Sequence, residues 1–228
     1  MDVELINRPS STVAKLTLHN GEHCIAEGGS MVAMHGSMKI ETTTYKRGRG
    51  NIFKALKRMI SGESFFLNHY YSHQASDELW LSHPLPGDME VIPMEIGQNI
   101  IVSGGCFVAC EDNIEMDMSW QGMKSLFSGE NLFWLKMSGA GPLIVSSYGS
   151  IYKVKVQDGY VVDTGHVVAF EDTLNFKISK AGKSWLHSFL GGEGLVLEFS
   201  GQGYIWCQSH NANEFGKLLG PQLKPRQQ

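Results

Sequence analysis

Three stretches of this chain carry the same pattern in the same phase. Gly28-Gly29-Ser30-Met31-Val32-Ala33-Met34, Gly104-Gly105-Cys106-Phe107-Val108-Ala109-Cys110 and Thr164-Gly165-His166-Val167-Val168-Ala169-Phe170 each place a Val-Ala step at one offset behind a glycine. A few residues on, each shows strict alternation: Met38, Ile40 and Thr42; Ile114, Met116 and Met118; Leu174, Phe176 and Ile178. Period-two patterning puts one set of side chains on a core face and the other in solvent. Each stretch continues through a short amphipathic piece (55–60, 123–127, 185–190) to a Gly-Glu step at Gly62-Glu63, Gly129-Glu130 and Gly192-Glu193. An apolar run follows in every case, at 65–67, 132–135 and 195–197.

A β unit with one apolar face cannot bury that face alone, whereas several stacked copies can. The pattern therefore predicts an all-β fold of three internal repeats in a pseudo-threefold, barrel-like body with short helical inserts. The whole chain, 1–228, reads as one domain, with repeats of approximately 1–92, 93–156 and 157–228. Segments 28–83, 104–148 and 164–208 are expected to superpose, and closure is expected to hide most strand edges. Further strands are expected where Ala14, Leu16 and Leu18 alternate with Lys15 and Thr17, and where Tyr152, Val154 and Val156 alternate with Lys153 and Lys155. Pro84, Pro86 and Gly87 break the chain between the first two repeats, and Asp158-Gly159 predicts a hairpin turn.

Composition narrows the function classes. Hydrophobic residues at 42% and charged ones at 18% are an ordinary globular balance. A net charge of −4 argues against a nucleic-acid platform. Four dispersed cysteines, Cys24, Cys106, Cys110 and Cys207, do not make a disulfide framework. The N-terminal residues lack an apolar signal core and no apolar run approaches bilayer length, so a cytoplasmic protein is expected.

The chain resembles the altered-inheritance-of-mitochondria (AIM) type family over nearly its whole length. The resemblance lies in Ser61-Gly62-Glu63, Ser128-Gly129-Glu130, Ser146-Ser147-Tyr148-Gly149-Ser150, Val162-Asp163-Thr164-Gly165-His166 and Gly192-Glu193-Gly194-Leu195. It implies a TRAP-like, triplicated β architecture that self-associates, and a fold that brings no established enzymatic activity. Mitochondrial relatives are associated with inner-membrane organisation.

The chemistry-bearing residues are each weighed against a structural role. Gly48-Arg49-Gly50, Gly139-Ala140-Gly141 and Gly201-Gln202-Gly203 lack the strand–helix setting and the lysine of a phosphate loop, and read as turns. Glu63, Glu130 and Glu193 either converge on a pseudo-threefold axis to bind a cation or accept hydrogen bonds from turn amides. His19 with His23, and His69 with His73, are spaced to lie on one side of an element, but no third ligand is in sight, so no metal and no other cofactor is expected. Asp163-Thr164-Gly165-His166 resembles a catalytic fragment. Its position in the other repeats is filled by Ser30 and Cys106, which favours a turn into a strand.

One segment stands apart electrostatically. Between Thr42 and Gly62 lie six basic residues and no acidic one: Lys46, Arg47, Arg49, Lys54, Lys57 and Arg58. Ile52, Phe53, Leu56, Met59 and Ile60 supply an apolar stripe at helical spacing. Such a helix either contacts an acidic protein or anionic membrane surface, or packs on its own body with a solvated basic face. These readings favour a non-catalytic, self-associating scaffold or interaction protein, a homo-oligomer with a trimer preferred. The alternative is a small-ligand or metal-binding cupin-like β barrel.

Overall fold

The computed structural model describes residues 1–44, 66–117, 133–180 and 195–223. A leading strand, β1 (Asp2–Ile6), is followed by three successive groups of six. The first group is β2 (Val13–Leu18), β3 (His23–Glu27), β4 (Met31–Met34), β5 (Lys39–Thr44), β6 (Phe66–Tyr71) and β7 (Asp77–Leu81). Next come β8 (Met89–Met94), β9 (Asn99–Ser103), β10 (Phe107–Glu111), β11 (Ile114–Asp117), β12 (Trp134–Gly139) and β13 (Gly141–Ser146). The last group is β14 (Ile151–Val156), β15 (Tyr160–Asp163), β16 (Val167–Glu171), β17 (Asn175–Lys180), β18 (Leu195–Ser200) and β19 (Gly203–Gln208), and one helix, α1 (Ala212–Leu219), follows.

One pairing scheme operates in each group. The sixth strand lies between the first and third, and the fifth between the second and fourth, all antiparallel. The third strand bulges at one place in each group: between Met31 and Ala33, between Phe107 and Ala109, and between Val167 and Ala169. A bulge sharpens local twist and re-aims the side chains around it. Consecutive groups are joined by the second strand of one and the third strand of the next, β3 to β10 and β9 to β16. The resulting sheets run β1-β2-β7-β4, β5-β6-β3-β10-β13-β8, β11-β12-β9-β16-β19-β14 and β15-β18-β17.

The apolar alternation drives the packing of these sheets. Ala14, Leu16 and Leu18 of β2 are fully buried and meet Leu79, Tyr70 and Ile144 between the first and second sheets. Between the second and third lie Phe107, Leu143, Ile100, Leu135 and Trp206. Between the third and fourth lie Ile101, Trp134, Phe170, Leu197 and Phe199. Four sheets with three intervening cores form a layered stack, so the central strands of the two inner sheets are buried on both faces.

Several expectations need correction. Instead of a closed barrel, the four sheets are open among the described residues, and each ends there in an edge strand on either side. Ile40 is 40% exposed rather than core-facing, because β5 is an edge strand beyond the main packing. Asp158-Gly159 is no hairpin turn: it links β14 to β15, which belong to different sheets and pair with β19 and β18 respectively. Local turn chemistry reports that the chain bends, not which partner the next strand meets.

Candidate functional site

The basic cluster of Lys46, Arg47, Arg49, Lys54, Lys57 and Arg58, and the Gly-Glu steps at Gly62, Glu63, Gly129, Glu130, Gly192 and Glu193, lie outside the described residues. So do the three amphipathic pieces beside them. Their flanks, however, are placed. The chain leaves β5 at Thr44 and re-enters β6 at Phe66, and these two residues are register partners. It likewise leaves β17 at Lys180 and returns at its partner Leu195.

Among the described residues, polar groups gather where the chain passes between groups of strands. Asp88 is buried just before β8, and Arg8 clamps its carboxylate with Nε and Nη2 bonds of 2.9 Å each. Thr12 Oγ1 and the Met89 amide also donate to Oδ1, at 3.0 and 2.8 Å. Burial alone would push this carboxyl up, but Arg8, Met89 and Thr12 together hold it below the usual carboxylate range. Gly87, beside it, has no room for a side chain: a Cβ there would collide with the Ser147 carbonyl. Asp77, also buried, accepts from Ser37 Oγ and Ser72 Oγ at 2.6 and 2.9 Å. Both carboxylates act as ties between distant parts of the chain.

A cavity of about 350 Å³ opens beside the Asp88 clamp, lined by Thr12, Ser82, His83, Pro86 and Asp88. His83 also lines a smaller cavity with Tyr148, Gly165, Gln208 and Asn211. Its Nδ1 lies 3.3 Å from the Leu85 amide and its Nε2 3.0 Å from the Gly105 carbonyl. A neutral ring protonated at Nε2 satisfies both, in keeping with a pKa lowered first by burial. Gln208 serves the same region: Oε1 accepts from the Tyr148 amide and Nε2 donates to the Gly165 carbonyl, both at 2.8 Å. His166 Nδ1 contacts the Gln208 carbonyl at 2.8 Å, which makes the Asp163-Thr164-Gly165-His166 fragment part of a turn.

The structure pairs histidines that sequence spacing does not. His69 meets His23, not its spacing partner His73, with Nδ1 3.1 Å from His23 Nε2. Thr43 Oγ1 lies 2.8 Å from the far side of His69, and Asp112 Oδ2 lies 3.5 Å from His23 Nδ1. These four side chains cross neighbouring strands β5, β6 and β3 and the end of β10 as a polar ladder. His69 is pushed down by burial and by the adjacent His23 ring. Such a ladder can share protons and join strands; its register depends on β3–β6 pairing, which no local motif announces.

Other titratable groups are shaped by burial. It pushes the half-buried Glu27 carboxyl up to about 7. All four thiols are free and buried, and burial drives each upward, to about 12 for Cys106 and about 11 for Cys207. At neutral pH these are small packing groups rather than nucleophiles. No group of three or more His, Cys, Asp or Glu side chains placed to hold a metal ion occurs among the described residues.

Comparisons with known proteins agree with the architecture. A family model described as mitochondrial biogenesis AIM24 matches residues 3–210. An uncharacterised protein of Streptococcus pyogenes serotype M6 is 30% identical over 214 residues, covering 91% of this chain and 85% of that protein. The crystal structure of a Streptococcus pyogenes protein is similar at a TM-score of 0.79 and 26% identity, over 97% of this chain and 99% of that one.

Proposed function

The chain belongs to the mitochondrial biogenesis AIM24 family, and from that premise we propose that it works as a non-catalytic, self-associating scaffold or interaction protein. The observation that carries this reading is a division of labour among its residues. The buried polar groups near the cavities hold loops and strands together, and the thiols are kept protonated. Large apolar side chains meanwhile stand in solvent: Val32 is 58% exposed, Ile96 91%, Val161 61% and Leu218 75%. Single exposed apolar residues are ordinary, but Val32 and Val161 lie on strands that end a sheet, where an unpaired edge invites contact with another chain. We read the recurring pairing scheme as three structural repeats whose backbones superpose. The basic segment is the first candidate for contact with an acidic protein or an anionic membrane surface. No helix among the described residues is long and apolar enough to cross a membrane.

Sedimentation of the full chain over a concentration series tests the reading. Assembly that grows with concentration through the micromolar range is the expected result, and a monomer throughout would overturn it.

A further inference from the structure

The two junctions inside the chain obey one rule, and among the described residues two strands stand outside it. The second strand of each group pairs with the third strand of the next, as β3 does with β10 and β9 with β16. Among the described residues this leaves β4, a third strand, and β15, a second strand, without such a partner. Both are outermost in their sheets.

Their burial shows what is missing. Val108 and Val168 at the internal junctions are 1% and 0% exposed, whereas Val32 at the same position of β4 is 58% exposed. Phe107 and Val167 are 0% and 1% exposed, against 42% for Met31. On the other side, Ile100 and Ile101 are fully buried, while their counterparts Tyr160 and Val161 are 44% and 61% exposed. The end strands thus keep apolar side chains suited to a buried junction. Neither β4 nor β15 contains a lysine or proline, residues that commonly protect a bare edge.

We propose that β15 of one copy pairs antiparallel with β4 of a second copy, repeating between molecules the junction made twice within one. This inference rests on the self-association reading and names its surface. The composite sheet would run β17-β18-β15 and then β4-β7-β2-β1, the order of each inner sheet with β1 added. The internal registers, Ala109 with Ala26 and Ala169 with Val102, set the new one. Ala33 falls opposite Val162, Met34 opposite Val161 and His35 opposite Tyr160. Main-chain hydrogen bonds supply affinity and the apolar side chains supply specificity, as in strand addition generally. The contact uses different surfaces on its two partners, so it is head-to-tail and generates a ring or an open filament.

Cross-linking tests both the surface and its direction. Residues opposite one another in an antiparallel pair have Cα atoms about 4.5–5.5 Å apart, within disulfide range. Met34→Cys and Val161→Cys are prepared separately in the full chain, with folding checked by circular dichroism. The native thiols are buried and stay out of mild oxidation. Mixing the two variants should give a covalent dimer on a non-reducing gel; neither variant alone should, and the doubly substituted chain should give a ladder. Val161→Lys alters a residue already 61% exposed and should leave the fold intact while weakening self-association by about tenfold or more. A dimer from Met34→Cys alone would overturn the head-to-tail contact. Oligomers in sedimentation without a mixed cross-link, and without an effect of Val161→Lys, would place assembly on another surface and leave the broader reading standing. A monomer under all conditions would overturn both.

Discussion

At the scale of single residues, charge and burial make opposite demands in two places. Asp88 is buried with its cation, so removing Arg8 strands a carboxylate. Arg8→Ala is expected to cost about 3 kcal/mol at pH 7, at the lower end for a broken buried pair because Arg8 itself is 45% exposed. The folded carboxyl is held below its unfolded value, so the stability it contributes is complete above about pH 4 and is lost as pH falls through the folded value. Urea denaturation should accordingly show the gap between wild type and Arg8→Ala closing in acid. Glu27 has the reverse sign. Its folded pKa, about 7, lies above the unfolded one, so the folded state binds the extra proton and stability declines as pH rises between about 4.5 and 7. Glu27→Gln should be neutral at pH 4 and stabilising by about 1–2 kcal/mol at pH 8, partial exposure discounting the full shift. Neither residue was legible as special in the sequence. Asp88 sits beside Pro86-Gly87 as an ordinary turn acid, and its partner is eighty positions away.

At the scale of elements, amide exchange should follow the sheet order. The most protected amides are expected in β9, β10, β13, β16 and β19, which lie inside the two inner sheets, and faster exchange in β4 and β15 when the chain is monomeric. Phe170 joins β16 to the last core through edge-on contacts with Trp134, Phe176 and Phe199 at centroid distances of 5.1–5.8 Å. Phe170→Ala should cost about 4 kcal/mol in chemical denaturation. The sequence marks the strands themselves well, because alternation and turn glycines are local. Ala14, Leu16 and Leu18 fall on the core face that their spacing predicts. It marks partners poorly. A strand pairs with one several turns of chain away, so Asp158-Gly159 looks like a hairpin and His69 looks like the companion of His73. Ile40 alternates like a core residue although its strand ends at a sheet edge. The basic cluster and the three Gly-Glu steps were conspicuous in the sequence, and only their flanks are positioned by the described strands.

At the scale of the whole molecule, the basic segment gives a salt-dependent prediction. Six cations between Thr42 and Gly62 focus positive potential in a chain of net charge −4. Full-length protein should co-sediment with anionic vesicles at low salt and less so as ionic strength passes through the physiological range. The triple change of Lys54, Lys57 and Arg58 to Glu should abolish that binding; if it leaves binding unchanged, the cluster is only a solvated face. The open stack has a different consequence, because its two ends are unlike. If β15 of one copy pairs with β4 of the next in an open filament, a chain with Val161→Lys keeps an intact β4 and loses a usable β15, so it would be received at one end of an assembly but accept no successor. Such a chain is a terminator rather than a mere non-participant. Mixed with wild type at a small molar fraction, it would limit assembly length far beyond its share of the population.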